Sequence, residues 1–489
     1  IFSIVTCKNC STITNFVESP YPMFNFTLTY TDLYQLSMAQ VYFLKGKTQE
    51  KAVFDYFFRK IPYQGGFAIF AGLHDFLELL ENLSFSKEDI AYLKTQDFDE
   101  SFVNYLADFR FSGKIRACQE GEVVFATSPI LQVEATIIEA QLIETILLNL
   151  LNFQTLIATK ASRIKLIAQE KTLLDFGLRR AQGPGGYYAS KAAVIGGFDG
   201  TSNVSAGKDF NIPISGTMAH SFIQSYDSEL EAFRDFATNR PKNCVLLVDT
   251  YDTLKSGVPH AISVAKEMEA RGNRLLAIRL DSGDLAYFAR KSRKLLDDAG
   301  LSYVKIAASN QLDEFVIKSL QEQNAPIDIY GVGTNLVIGK PDGALDGVYK
   351  LAFAAGKPRI KISESLAKTT IPHRKQVFRT YDEHGNFSGA DVIAMEEEVH
   401  ITQMNHPFEP YKNLKVEHFK QEPLLHVVME NGKKVNPSPS LQEIAAFRKQ
   451  RLSLLPLEYK RFDNPHIYKV GISDALKQER DKLIRSHKN

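Results

Sequence analysis

Apolar positions recur at helical spacing early in the chain and give way later to short uninterrupted runs. In TDLYQLSMAQVYFL, Leu33, Leu36 and Tyr42 fall near one face, which predicts a helix within 28–46 with Thr31 or Asp32 capping its start. Strand-like VFDYFFRKI follows at 53–61, then a Gly-Gly turn at 65–66 and a helix over 72–82. Two short strands, 122–127 and 130–135, are separated by Ser128-Pro129. The opening third therefore mixes strands and helices without a regular alternation. The longest apolar stretch, 135–168, carries Glu139, Gln141, Glu144, Asn149 and Asn152. Those polar residues predict a buried or amphipathic helix, not a membrane span.

From about residue 170 the pattern changes. Apolar runs at 173–177, 203–206, 212–217, 244–250, 274–283, 303–309 and 327–334 alternate with helix-length segments such as 187–197, 218–238, 256–271, 284–299 and 312–323. Repeated strand–helix units with short polar turns predict parallel strands buried on both faces. Seven units in this span fit an α/β fold built on an irregular (β/α) barrel, at 136–359, better than an open sheet. The last part is mixed again, with a strand-like 348–363, a charged connection and a basic helix at 472–489. We therefore expect a second mixed α/β domain built from both chain ends, 23–135 and 360–489. Residues 1–22 lack periodicity and read as a loose tail, with Met23 as the natural start of translation.

Composition narrows the functional classes. The chain has 489 residues, 58 Lys and Arg against 57 Asp and Glu, and a formal net charge of +1, which removes any general electrostatic case for nucleic acid or an anionic membrane. A hydrophobic fraction of 44% with 24% charged residues is that of an ordinary globular protein. Four cysteines are too few for a disulfide scaffold in a chain this long, so a reducing, cytoplasmic setting is expected. Cys7 and Cys10 form a single CxxC without a second pair or neighbouring histidines, so no zinc site is expected.

Candidate chemistry collects where the apolar runs end, which in a barrel is the active-site face. The ends read Asp175-Phe176-Gly177-Leu178-Arg179-Arg180, Thr201-Ser202-Asn203, Ser215-Gly216-Thr217, Asp249-Thr250, Arg279-Leu280-Asp281-Ser282-Gly283-Asp284, Ser309-Asn310 and Gly331-Val332-Gly333-Thr334-Asn335. In 274–281, Ala277, Arg279 and Asp281 share one strand face, and an Arg and an Asp on an inner face must be paired or bind something. Gly-rich turns at 183–186 and 331–335 offer backbone N–H groups to phosphate. Together with Arg179, Arg180 and Arg279 they point to an anionic, phosphorylated substrate. His220, in SGTMAHS, stands one turn past a strand end beside Thr217.

Eight motifs, TDLYQLSM (31–38), FFRKIP (57–62), FGLRRAQGPGG (176–186), GGFDGTSNV (196–204), GTMAHSF (216–222), RLDSGDL (279–285), GVGTN (331–335) and GVYKL (347–351), resemble the nicotinate phosphoribosyltransferase family. The resemblance runs in register from about 28 to 455. It implies synthesis of nicotinate mononucleotide and pyrophosphate from nicotinate and phosphoribosyl pyrophosphate, coupled to ATP hydrolysis, with Mg²⁺ aiding departure of pyrophosphate. It also implies a homodimer whose sites are shared between subunits. Tyr34 would come from the neighbouring chain to stack with Phe176 around the pyridine. Arg279 and Thr217 would hold the nicotinate carboxylate. Thr334, with Gly331 and Gly333, would lie at the ribose phosphate, and His220 would be the histidine that ATP phosphorylates. Asp281 and Asp249 are candidates for the ribose hydroxyls or the metal shell.

Two other activities fit parts of the pattern. Nicotinamide phosphoribosyltransferase resembles this chain but carries an Asp where Ser202 stands, and an Asp would repel a carboxylate. A Schiff-base barrel lyase would use Lys305 in a dry lumen. A silent sensor would be expected to lose His220 or Arg279, and both are present.

Overall fold

The structure, a computed structural model, describes residues 26–364, 368–409 and 411–488; the 1–22 tail, Met23, Cys7 and Cys10 lie outside them. At its centre are six strands: β1 (Thr172–Asp175), β2 (Gly200–Thr201), β3 (Val245–Leu247), β4 (Ala277–Leu280), β5 (Lys305–Ser309) and β6 (Ile329–Val332). They run in the order β2-β1-β6-β5-β4-β3, every neighbouring pair parallel. Among the described residues β2 and β3 remain edges, so the barrel is incomplete. Helices follow the strands as the alternation predicts, including Pro184–Gly196, Val258–Ala270, Leu285–Asp298 and Glu314–Glu322.

Two predicted strands are absent from this sheet. The run 203–206 opens the helix Val204–Asp209, because Asn203 caps it by accepting the N–H of Ala206 at 3.2 Å. The run 212–217 contributes a single bridge, Thr201 to Ile214, since Pro213 has no N–H to extend a ladder. The predicted helix 218–238 is two, His220–Gln224 and Glu229–Asn239. At 122–127 only Val123–Val124 is strand.

The long apolar stretch is helical, as Ile137–Leu142 and then Glu144–Ala168. A Thr136–Glu139 capping box starts the first of these. The second packs against Pro184–Gly196 at a spacing only glycine permits: a Cβ on Gly196 would lie 2.4 Å from the Ala161 Cβ. No helix among the described residues is long and apolar enough to cross a membrane.

Besides a two-stranded ladder of Ala68–Ile69 with Val123–Val124, two larger sheets accompany the barrel. A seven-stranded one pairs Lys51–Phe58 with both Leu131–Thr136 and Gly347–Ala354, and reaches His426–Glu430 at its other side. It draws on residues 51–136, 347–358 and 426–434. A six-stranded sheet is assembled from residues 375–473. Arg379, buried in it, donates to Asp391 at 3.0 Å and to Glu122 at 2.6 Å, joining this sheet to the early loop. Such a charge is tolerated inside because each partner is itself held.

Candidate active site

The carboxyl ends of β3, β4 and β5 bring one acid–base cluster together. The Asp249 carboxylate accepts the backbone N–H of Asp281 at 2.8 Å and the hydroxyl of Ser282 at 2.6 Å. Its other oxygen, Oδ1, is buried without a hydrogen-bond partner. Asp281 accepts from the hydroxyl of Ser309 and from Arg279 Nη2 at 3.0 Å. The parity argument put Arg279 and Asp281 on one face, and they are paired there.

Arg279 makes a hydrogen bond at each guanidinium nitrogen: Nε to Ser309 Oγ at 2.8 Å, Nη1 to the Met218 carbonyl at 3.3 Å and Nη2 to Asp281. The contact with Met218 places Thr217 beside the guanidinium, and the Thr217 hydroxyl accepts the Met218 N–H. Arg279 also lies 5.8 Å from the centroid of the Phe176 ring.

Phe176 leaves β1 with its N–H bonded to the Val332 carbonyl at 2.9 Å. Its ring lies across Gly331, where a Cβ would come within 2.4 Å of ring carbons. Gly333 faces the Phe176 carbonyl, 3.1 Å from where a Cβ would be. Thr334, half-buried, opens the short turn Thr334–Val337. His220 joins the same cluster: Nδ1 is 3.0 Å from Thr250 Oγ1, and Nε2 is 3.8 Å from Asp281 Oδ2.

Asp175 supports the rim without reaching it. Its carboxylate accepts from Gly177 N–H at 2.8 Å, Ser190 Oγ at 2.7 Å and Thr201 Oγ1 at 2.8 Å, while its carbonyl takes the N–H of Ser202. Burial pushes its carboxyl above the usual range, opposed by those hydrogen bonds. Asp175, Thr250, Ser309 and Asn335 stood in the strand-end pattern without a role; contacts alone reveal what they hold.

Three expected residues sit differently. Arg179 is exposed in the turn Leu178–Arg180, with Arg180 next to it. Tyr34, 50% exposed, borders a hollow with Asp32, Glu144, Asn149, Asn152 and Leu345, none of them a strand-end residue. Lys305 overturns the lyase reading: it is exposed and begins β5 at the end opposite Ser309. That position denies it the dry lumen a Schiff-base lysine requires.

Comparison with known proteins follows the same outline. The sequence profile of the nicotinate phosphoribosyltransferase N-terminal domain matches residues 29–152, that of the nicotinate phosphoribosyltransferase family matches 172–409, and that of its C-terminal domain matches 374–480. The chain is 45% identical over 455 residues to nicotinate phosphoribosyltransferase of Bacillus subtilis, covering 91% of this chain and 92% of that one. It is 38% identical over 508 residues to the Dictyostelium discoideum enzyme of the same name, covering 91% and 86%. Among solved structures it is similar to human nicotinic acid phosphoribosyltransferase, with a TM-score of 0.84 and 32% identity over 93% of this chain and 99% of that one. The fold is also shared with nicotinate-nucleotide pyrophosphorylase from Pyrococcus furiosus, at a TM-score of 0.70 and 24% identity over 89% and 98%. With three profiles covering most of its length and relatives this similar along nearly all of it, the chain belongs to the nicotinate phosphoribosyltransferase family.

Proposed function

We propose that this protein transfers the phosphoribosyl group of phosphoribosyl pyrophosphate to nicotinate, forming nicotinate mononucleotide and pyrophosphate in NAD biosynthesis, and that ATP hydrolysis through a phosphorylated His220 drives the step. The observation that carries this reading is Arg279. A guanidinium has five N–H groups, and Arg279 commits one at each nitrogen to the protein. Each terminal nitrogen keeps a second N–H beside an aromatic face, an arrangement suited to the carboxylate of an aromatic acid. Thr217 supplies a neighbouring hydroxyl, and Ser202 leaves the rim without the negative charge that would repel that carboxylate.

The pyridine nitrogen forms its bond to C1 of the ribose as the bond from C1 to pyrophosphate oxygen breaks, and the electron pair leaves with pyrophosphate. Positive charge develops on the sugar. Asp281, anchored by Ser309 and Arg279, stands where a carboxylate stabilises it. Gly331, Gly333 and Thr334 take the ribose phosphate, and Arg179 contributes positive charge at the mouth. An imidazole nitrogen of His220 takes the terminal phosphoryl of ATP as ADP leaves, and water then releases phosphate.

Mg²⁺, when bound, would supply positive charge to the leaving pyrophosphate. Among the described residues no three His, Cys, Asp or Glu side chains gather to hold an ion alone. The unpartnered Oδ1 of Asp249 and the Asp281 carboxylate are the residues that would hold such an ion together with the substrate's phosphates. Tyr34 acts in a homodimer, completing the site of a second copy by stacking opposite Phe176; its exposure away from its own chain's cluster supports this.

The test is an end-point assay with phosphoribosyl pyrophosphate, Mg²⁺ and either nicotinate or nicotinamide, with and without ATP, the products identified by mass. Nicotinate mononucleotide raised by ATP, with ADP formed, is the expected result, and His220→Ala should abolish only the ATP effect. Product from nicotinamide alone would overturn the role given to Ser202.

A further inference from the structure

The turn that follows β5 is held in a conformation its own residues do not favour. Asn310 has φ +83° and Gln311 has φ +51°, two successive non-glycine residues in the left-handed region, directly after Ser309. Such backbone persists only where the surroundings impose it, and it gathers at ligand sites. Leu312, fully buried, and Glu314, buried against Lys160 and Arg163, anchor the far side of the turn. Asp313 caps the helix Glu314–Glu322 by accepting from Phe315 and Val316.

The near side is held by one side chain. Asn335, 3% exposed, donates from Nδ2 to the Gln311 carbonyl at 3.0 Å and to the Leu312 carbonyl at 3.2 Å. Both amide protons are thereby committed to the turn. Asn335 belongs to the segment that also carries Gly331, Gly333 and Thr334. One carboxamide thus fastens the glycine turn after β6 to the left-handed turn after β5. The two groups given to nicotinate are held by other contacts: Arg279 by Ser309, the Met218 carbonyl and Asp281, and Phe176 by the Val332 carbonyl.

We infer that Asn335 is a positioning residue for the phosphoribosyl pyrophosphate side of the cleft, acting through the Asn310–Gln311 turn. This rests on the reading of the site given above. Without the two donors the turn relaxes toward ordinary backbone, and the glycine turn after β6 loses its tie to the turn after β5. The effect falls on the sugar phosphate and leaves the carboxylate reader in place.

The inference is tested with the full-length protein and three forms: the unmodified chain, Asn335→Ala, and Asn335→Ala combined with Asn310→Gly and Gln311→Gly. Binding of phosphoribosyl pyrophosphate with Mg²⁺ is measured by titration calorimetry, and KM values for both substrates by steady-state assay. Asn335→Ala should weaken phosphoribosyl pyrophosphate binding about tenfold, with kcat and the KM for nicotinate within about twofold. The two glycines, which adopt positive φ freely, should recover most of that loss. Equal loss for both substrates, no loss, or no recovery by the glycines overturns the inference. Should Asn335→Ala not fold, Asn335→Ser must show a smaller loss confined to the same substrate, and an unchanged affinity overturns the inference. An unmodified chain that binds phosphoribosyl pyrophosphate yet forms no nucleotide from either base would overturn the proposed reaction instead, while the calorimetry still decides the role of Asn335.

Discussion

Ser309 Oγ accepts the Nε–H of Arg279 at 2.8 Å and gives its own proton to Oδ1 of Asp281. One hydroxyl on β5 thereby fixes, at once, the group proposed to read the nicotinate carboxylate and the carboxylate proposed to face the sugar. Ser309→Ala leaves the Nε–H of a largely buried guanidinium unpaired, at a cost of about 1–3 kcal/mol. The KM for nicotinate should rise at least about fivefold, with a thermal melt within a few degrees of the unmodified protein. Steady-state kinetics with nicotinate varied, beside a melting curve, checks both halves; an unchanged KM would show that Arg279 is held well enough without Ser309.

Gly331→Ala tests the seat of the Phe176 ring. An added Cβ would stand 2.4 Å from ring carbons, so the ring must turn aside. Overpacking of this kind costs about 1–3 kcal/mol, and part of it should appear as weaker binding of the base proposed to stack on Phe176. The expected result is a fall of about tenfold or more in kcat/KM for nicotinate. Fluorescence is a poor probe here because the chain has no tryptophan, so kinetics and a circular-dichroism melt are the measurements.

Glu314 faces Arg163 Nε at 3.1 Å and also takes the ammonium of Lys160, all three buried. Removing the carboxylate leaves two cations stranded in the interior. Glu314→Ala should lose about 3–5 kcal/mol of stability, read as a lower midpoint of chemical unfolding. A midpoint that stays put would mean that water or a rearranged partner reaches those cations.

His74 offers a pH prediction. Burial lowers its pKa, against the pull of Glu120, and its Nδ1 is buried without a partner. The folded protein thus binds the proton less readily than the unfolded chain does. The neutral imidazole therefore contributes stability that is intact above its ordinary pKa, about 6.5, and is lost as pH falls through its lowered value. His74→Gln removes the titration, so the difference in melting temperature between pH 7.5 and 5.5 should shrink. Melts of both proteins across that range decide it, and parallel curves would discard the idea.

Much of this arrangement is legible in the residues. Strands of a parallel barrel are buried on both faces and read as plain apolar runs, so the polar residues at their ends stand out; Asp249, Arg279, Asp281 and Gly331 are legible in this way. What eludes such reading is held by distant partners. Asn335 and Gln311 are separated by a helix and a strand, and Lys160 and Glu314 lie on elements of different chain segments. Val204-Ser205-Ala206 looks like a strand until Asn203 is recognised as a cap. Tyr34 lies apart from the strand-end cluster, so the role proposed for it needs a second copy of the chain.

The pairing of Lys51–Phe58 with Gly347–Ala354 has a consequence for how the protein is made. At roughly 5–20 residues per second, the ribosome needs about 15–60 seconds to synthesise the intervening stretch. For that interval the earlier strand has one hydrogen-bonding edge with no native neighbour, and exposed edges invite pairing with other chains. The barrel is, in this sense, a passenger folded inside an unfinished sheet. Nascent chains stopped short of residue 347 should be the form most in need of a chaperone.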